Sequence, residues 1–295
     1  MHQFNNRDRQ TVLAYGIEEL ELWDPIDKNL LGMLNGDWDN LRIEQVEPVS
    51  PSVLAIISAG VKDKQQVIGG GKLHFTKVDW STGNDQFPKM PIQEWTEDTQ
   101  SGMSISIIEG IESAVTNDET RVSLFTGDTT NGFVYRRIFD ISENKVAKVG
   151  EQRMVNRHYG SVSALCHVEA SNYVVSGNTT GKIYVNDHDN GRCTQTIDVG
   201  RGIIIGSIIS CPFSPNLFAV GCCNPKNKLL IYDNRLRINK GKPSLTLKDA
   251  GSVIKTKYNR PAWDAETGLI CLPVRKYADG TDAAAINIWD PRFVK

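Results

Sequence analysis

Turn-forming residues interrupt the apolar runs of this chain too often for any helix to develop. Between His158 and Ile197 the sequence reads HYGSVSALCHVEASNYVVSGNTTGKIYVNDHDNGRCTQTI. Val162 to Val168, Tyr173 to Ser176, Lys182 to Asn186 and Cys193 to Ile197 are short apolar runs. Glu169-Ala170-Ser171-Asn172, Gly177-Asn178-Thr179-Thr180-Gly181 and Asp187-His188-Asp189-Asn190-Gly191 separate them. An amphipathic helix needs an apolar stripe at a period of 3.6 residues sustained over several turns, and none fits here. The stretch instead predicts four strands of about five residues joined by tight turns, one antiparallel meander. One such sheet cannot bury both of its faces, so the remainder of the chain must supply similar sheets.

The remainder does so. TVLAYG, ELELWD and NLLGML form a first unit of three strands, preceded by a polar segment at residues 1–10 that reads as a frayed end or a ring-closing strand. LRIEQVEPV, VLAIISAG, KLHFTKVDW and PIQEW form a second, with Pro48 and Pro51 expected between strands, where proline is tolerated. A third follows from Ser104, and the opening stretch is the fourth. A fifth begins IIGSIISCPFSP, and a sixth begins SVIKTKYN and stops after its third strand. The third strands align as ELELWD, KLHFTKVD, FVYRRIFD, KIYVND, KLLIYD and AINIWD. They close on Asp24, Asp79, Asp140, Asp187, Asp233 and Asp290, at spacings of 55, 61, 47, 46 and 57 residues. Such an aspartate can accept hydrogen bonds from the turn that follows. A four-stranded repeat of this length is the pattern of propeller blades.

On these residues the chain resembles the WD40 repeat family over nearly its whole length. Trp23-Asp24 and Trp289-Asp290 match the dipeptide that names the family, and Tyr232-Asp233 is a common variant. Ser176 to Asp187 looks like the family's second-hairpin consensus, and His158 sits near the histidine that opens a repeat. The departures are specific. Thr180 stands where the family has Asp and Asn186 where it has Trp, so the family's hydrogen-bond tetrad is incomplete even in the cleanest repeat. The resemblance implies one all-β domain over residues 1–295, a WD40-like β-propeller of about six four-stranded blades. A seven-bladed ring completed by a partner or by further sequence is the alternative.

Bulk properties narrow the class. Net charge is −2, with 40% hydrophobic and 23% charged residues, an ordinary globular composition without the basic signature of a nucleic-acid binder. Residues 221–295 nonetheless hold 14 Lys and Arg against 7 Asp and Glu. That asymmetry points to a charged partner, or to a mixture of solvated loops. The six cysteines form no CxxC pair and mostly lie in apolar runs, as buried thiols in a reducing compartment would. The start is polar and no run of 18 apolar residues occurs. The expectation is a nuclear or cytoplasmic protein without membrane insertion.

Three groups of residues are candidates for recognition. Arg235 and Arg292 follow the closing aspartates of consecutive repeats as Asp-x-Arg. The resemblance links tandem motifs of this kind to receptors that dock on the adaptor of cullin-4 ubiquitin ligases; the plainer reading is two arginines facing solvent. Trp38, Arg157, His158, Tyr159 and Arg201 lie in loops joining consecutive repeats, and Trp, Tyr and Arg are the usual anchors of a peptide-binding surface. Against this, Trp38 can fold back on its own blade and His158 can make a structural bond. The basic run of Lys226, Lys228, Arg235, Arg237, Lys240 and Lys242 lacks interleaved aromatics and reads as solvated loop. Arg136 and Arg137 fall on opposite faces of a strand. His188 sits in a tight turn and is expected to be exposed. No nucleophile elbow, HExxH, P-loop or Rossmann fingerprint is present, and no cofactor or metal site is expected. The leading expectation is a non-enzymatic scaffold, one subunit of a multiprotein complex. The alternatives are a ubiquitin-ligase substrate receptor and a small hydrolase acting in the propeller channel.

Overall fold

The structure is a computed structural model. It describes residues 2–6, 9–15, 19–24, 29–35, 41–50, 53–60, 71–77, 93–95, 105–115, 120–128, 131–142, 145–168, 171–223, 228–235, 242–247, 261–278 and 281–292. Among the described residues there are 23 strands, arranged in small antiparallel sheets. No helix there is long and apolar enough to cross a membrane. The chain divides into two compact units. The first is Met1–Thr126 with Arg136–Gln152, and the second is Gly127–Tyr135 with Arg153–Lys295.

In the first unit, β1 (His2–Asn6), β2 (Arg9–Tyr15), β3 (Glu19–Asp24) and β4 (Asn29–Asn35) pair in chain order. Strand β1 adds a fourth member to a sheet in which three were expected. It forms from the polar segment, with His2 opposite Leu13 and Asn6 opposite Arg9. An edge strand needs only one row of backbone partners, so it leaves no mark in apolar patterning. Next come β5 (Leu41–Ser50), β6 (Val53–Gly60), β7 (Gly71–Lys77) and β8 (Gln93–Trp95), then β9 (Ile105–Val115), β10 (Thr120–Asp128), β11 (Val134–Ile141) and β12 (Val146–Arg153). These two meanders are hydrogen-bonded to each other at one point, Gly71 opposite Ile105. Pro48 lies inside β5 and not between strands. It is opposite Leu54 beside a register shift, and β5 is the edge of its sheet, where a missing N–H costs no ladder bond.

The period-two alternation of these strands builds their core. Ala55, Ile57, Leu73 and Phe75 of one meander pack on Val122, Leu124, Phe139 and Ile141 of the next. The Phe75 and Phe139 rings stand 5.0 Å apart. Arg137 shares the buried phase of β11, and its guanidinium is satisfied by Glu151 at 2.9 Å and by the Thr126 hydroxyl. Burial pushes the Glu151 carboxyl up, but Arg137 and Lys148 outweigh it and hold the group below its ordinary value.

In the second unit, β13 (Val162–Val168), β14 (Tyr173–Asn178), β15 (Lys182–Asp187) and β16 (Cys193–Asp198) form the fourth meander, with the strands expected. The fifth is β17 (Ile204–Cys211), β18 (Ser214–Cys223), β19 (Lys228–Asp233) and β20 (Leu245–Leu247). The sixth is β21 (Ala262–Trp263), β22 (Ile270–Ala278) and β23 (Thr281–Trp289). The strand expected at 252–259 lies outside the described residues. Fourth and fifth share one core, which includes Val175, Ile183, Ile205 and Phe218. Fifth and sixth share another, built on Ala219, Leu229, Ile231 and Ile270. Six short meanders, with neighbouring sheets packed into shared cores within each unit, make the chain an all-β propeller fold. All six cysteines are free, and Cys166, Cys211, Cys222 and Cys223 are buried.

Three of the closing aspartates act as their position suggested. Asp187 accepts the backbone N–H groups of Asp189 and Asn190, each at 3.0 Å. Asp233 accepts that of Arg235 and Asp290 that of Arg292, also at 3.0 Å. Asp140 differs: both of its oxygens take the fork of Arg121 across the sheet. Asp79 lies outside the described residues.

Candidate protein-interaction site

In an antiparallel meander the first and third turns lie at one end of the sheet. The second turn and the connection to the next sheet lie at the other. This separates the sequence candidates into two groups. Arg157, His158, Tyr159 and Arg201 are at the connection end of the fourth meander, whereas Arg235 and Arg292 are at the turn end of the fifth and sixth. Trp38 lies outside the described residues.

At the connection end the structure turns His158 inward. Its side chain is buried, with the residue 1% exposed, its ring rests on Tyr184 at 4.4 Å, and its Nε2 lies 2.8 Å from the Ser176 hydroxyl. Nδ1 has no partner. Burial lowers the imidazole pKa to about 4, so the ring is neutral. Thr180 does not replace the missing aspartate: its hydroxyl donates to the Tyr159 carbonyl at 3.1 Å. Asn186, at the tryptophan position, is buried with its Oδ1 unpartnered. The tetrad implied by the resemblance is thus reduced to one His–Ser link. The backbone of His158 also donates to the Gly132 carbonyl at 2.8 Å. Gly132 has φ of 69°, and a Cβ there would stand 2.1 Å from the His158 carbonyl oxygen, so only glycine fits this contact.

The neighbours of His158 point outward. Tyr159 is 83% exposed and Val155 60%. Arg157 is exposed, donates through Nε to the Asn131 carbonyl at 2.5 Å, and holds its guanidinium 5.7 Å from the centre of the Phe133 ring. Arg153 lies over the same ring at 4.6 Å. Arg153 and Val155 belong to the loop RMVNRHY, residues 153–159, that the sequence marks as joining two repeats, whereas Phe133 was not singled out from sequence. Their proximity comes from the β10–β11 turn meeting the connection to β13, which no local pattern shows. Arg201 is exposed in the turn joining β16 to β17.

At the turn end, Arg235 and Arg292 have one construction. Nε donates to the first oxygen of the aspartate two residues earlier, at 3.0 and 2.8 Å, and a terminal nitrogen donates to the second, at 2.7 and 2.6 Å. These forks hold the carboxyl groups of Asp233 and Asp290 below the ordinary carboxylate range. An incoming carboxylate would have to displace an aspartate already in place. Beside Arg292, between the fifth and sixth meanders, lies a groove of about 630 Å³, lined by Phe213, Leu217, Ile231, Leu245 and Trp263. The Phe213 ring stands edge-on to Trp263 at 6.2 Å and is half exposed. Trp263 donates to the Gly268 carbonyl at 3.2 Å. The signal available in the sequence was the turn Cys211-Pro212-Phe213-Ser214-Pro215, which places an aromatic where the chain must reverse.

His188 is buried and not exposed. Its Nδ1 lies 2.6 Å from Asn172 Oδ1, and its ring is edge-on to His167 at 4.9 Å. The turns before and after the β14–β15 hairpin share one end of the sheet, which folds His188 onto Asn172. The His158–Ser176 pair has the spacing of a base and a nucleophile. Both side chains are buried, however, and no carboxylate orients Nδ1, so a substrate could not reach it. Among the described residues, no group of three or more His, Cys, Asp or Glu is placed to hold a metal ion.

These features define a class, an all-β propeller fold. Among solved structures 1077 chains match it. One is in the crystal structure of the mitotic checkpoint complex. It superposes with a TM-score of 0.59 at 12% sequence identity, over 95% of this chain and 74% of that chain. At this identity the likeness concerns the fold. No family profile and no curated protein matches the sequence.

Proposed function

We propose that the chain is a divergent WD40-type propeller over residues 1–295, a non-enzymatic scaffold that joins other proteins in a nuclear or cytoplasmic assembly. The observation that carries this reading is the orientation of the side chains. The His158–Ser176 pair is buried within a blade, while Tyr159, Val155 and Phe213 are offered to solvent at blade ends. Exposed aromatics beside arginines are what protein interfaces use as anchors. Membership of a multiprotein complex by the solved neighbour supports the same reading. The test is affinity purification of the tagged full chain with mass spectrometry. The expected result is a stoichiometric partner set that Phe213→Asp reduces without a change in thermal midpoint. Wild-type chain that returns no stoichiometric partner overturns the proposal.

A second reading, docking on the adaptor of a cullin-4 ubiquitin ligase, is favoured by the identical build of the Arg235 and Arg292 turns. It expects Arg235→Ala with Arg292→Ala to abolish co-purification of the adaptor, and unchanged co-purification removes it.

A further inference from the structure

We propose that the connection end of the fourth meander is a docking site for an acidic peptide segment. Arg153 and Arg157 would hold it against Tyr159 and Val155. The proposal rests on the scaffold reading and specifies the chemistry one partner presents. Both arginines are exposed, and both guanidinium groups lie over the Phe133 ring, at 4.6 and 5.7 Å from its centre. Stacking on an aromatic face fixes a guanidinium plane while leaving its N–H edge open to a carboxylate. Arg157 uses Nε alone, on the Asn131 carbonyl. No carboxylate among the described residues pairs with either arginine, although neighbouring charges are matched. Glu151 is held by Arg137 and Lys148, and Lys182 by Asp198. Residues 152–162, QRMVNRHYGSV, contain two arginines and no acid, and the histidine among them is buried.

Two like charges gathered on one ring without counter-ions make a surface complementary to a pair of carboxylates. The exposed Tyr159 and Val155 beside them add apolar area, which an ion alone would not use. The occupant that satisfies both is a peptide carrying Asp or Glu around an apolar side chain. Nucleic acid fits less well, because tracking a phosphate backbone takes a longer row of cations than this blade end presents.

The test measures binding of the full chain to short fluorescent peptides with a Leu or Phe centre flanked by Glu, Ser, Lys or phosphoserine. Glu-flanked peptides are expected to bind, and Ser- and Lys-flanked ones at least about tenfold more weakly. Arg153→Ala with Arg157→Ala and, separately, Tyr159→Ser should each weaken Glu-peptide binding about tenfold or more. Salt should weaken it progressively. Tyr159 is 83% exposed, so the folding of Tyr159→Ser is not in question, and matched thermal midpoints check the arginine variant. Equal binding of all peptides, binding of the phosphoserine set alone, or undiminished Glu-peptide binding by the arginine variant overturns the proposal. In that event an intact partner set in affinity purification leaves the scaffold reading standing. Loss of every partner from wild type removes both.

Discussion

His158 keeps its ring neutral inside the fourth meander, and that has a consequence in acid. An imidazole in the unfolded chain titrates near 6.5, and burial lowers it to about 4 in the folded one. Between those values the unfolded state binds the additional proton. Stability is therefore complete above about pH 6.5 and falls as pH drops toward 4, and the gap between the two pKa values corresponds to roughly 3 kcal/mol. Denaturant midpoints of wild type should decline across this window. His158→Gln, which does not titrate, should show a flatter profile, and parallel profiles would exclude His158 as the cause. The same residue shows what sequence can and cannot say. Its resemblance to a repeat-opening histidine was legible, whereas the orphaned Nδ1 depends on Thr180 turning to the Tyr159 carbonyl.

At the scale of the strand and turn, two features carry testable energies. Gly177 on β14 is buried where a Cβ would stand 2.4 Å from Cγ2 of Ile205 in the next meander. Ile205 is itself buried and β-branched, so it cannot swing aside. Gly177→Ala should destabilise by about 1–3 kcal/mol in urea denaturation. Asp187 closes β15 with two backbone acceptor bonds. Asp187→Ala should cost about 1 kcal/mol, while Asp187→Asn, whose carbonyl still accepts, should cost less. A similar loss in both would mean that charge and not hydrogen bonding matters there. The aspartate pattern was readable because a turn is local. The mirror construction of Arg235 and Arg292 follows from the same locality, as each fork spans only two residues.

On the scale of the second unit, the candidate residues lie at opposite ends of its meanders. The groove at Phe213 and the arginine pair at Phe133 are therefore expected to serve different partners. Phe213→Asp and the Arg153→Ala, Arg157→Ala pair should each remove a different subset of co-purifying proteins, with additive losses when combined. Loss of one identical set from both would show a single interface instead.

The sequence by itself determined that the chain is all-β, that it forms about six short meanders, and that Asp187, Asp233 and Asp290 close third strands and cap the turns that follow. Those properties come from alternation and turn chemistry within a few residues. Tertiary structure decided what local pattern cannot carry. The polar segment His2–Asn6 becomes an edge strand because backbone pairing needs no apolar face. Pro48 enters β5 because that edge lacks a neighbour. Arg153 and Arg157 meet over Phe133 only because a turn from one meander is pressed against the connection to the next.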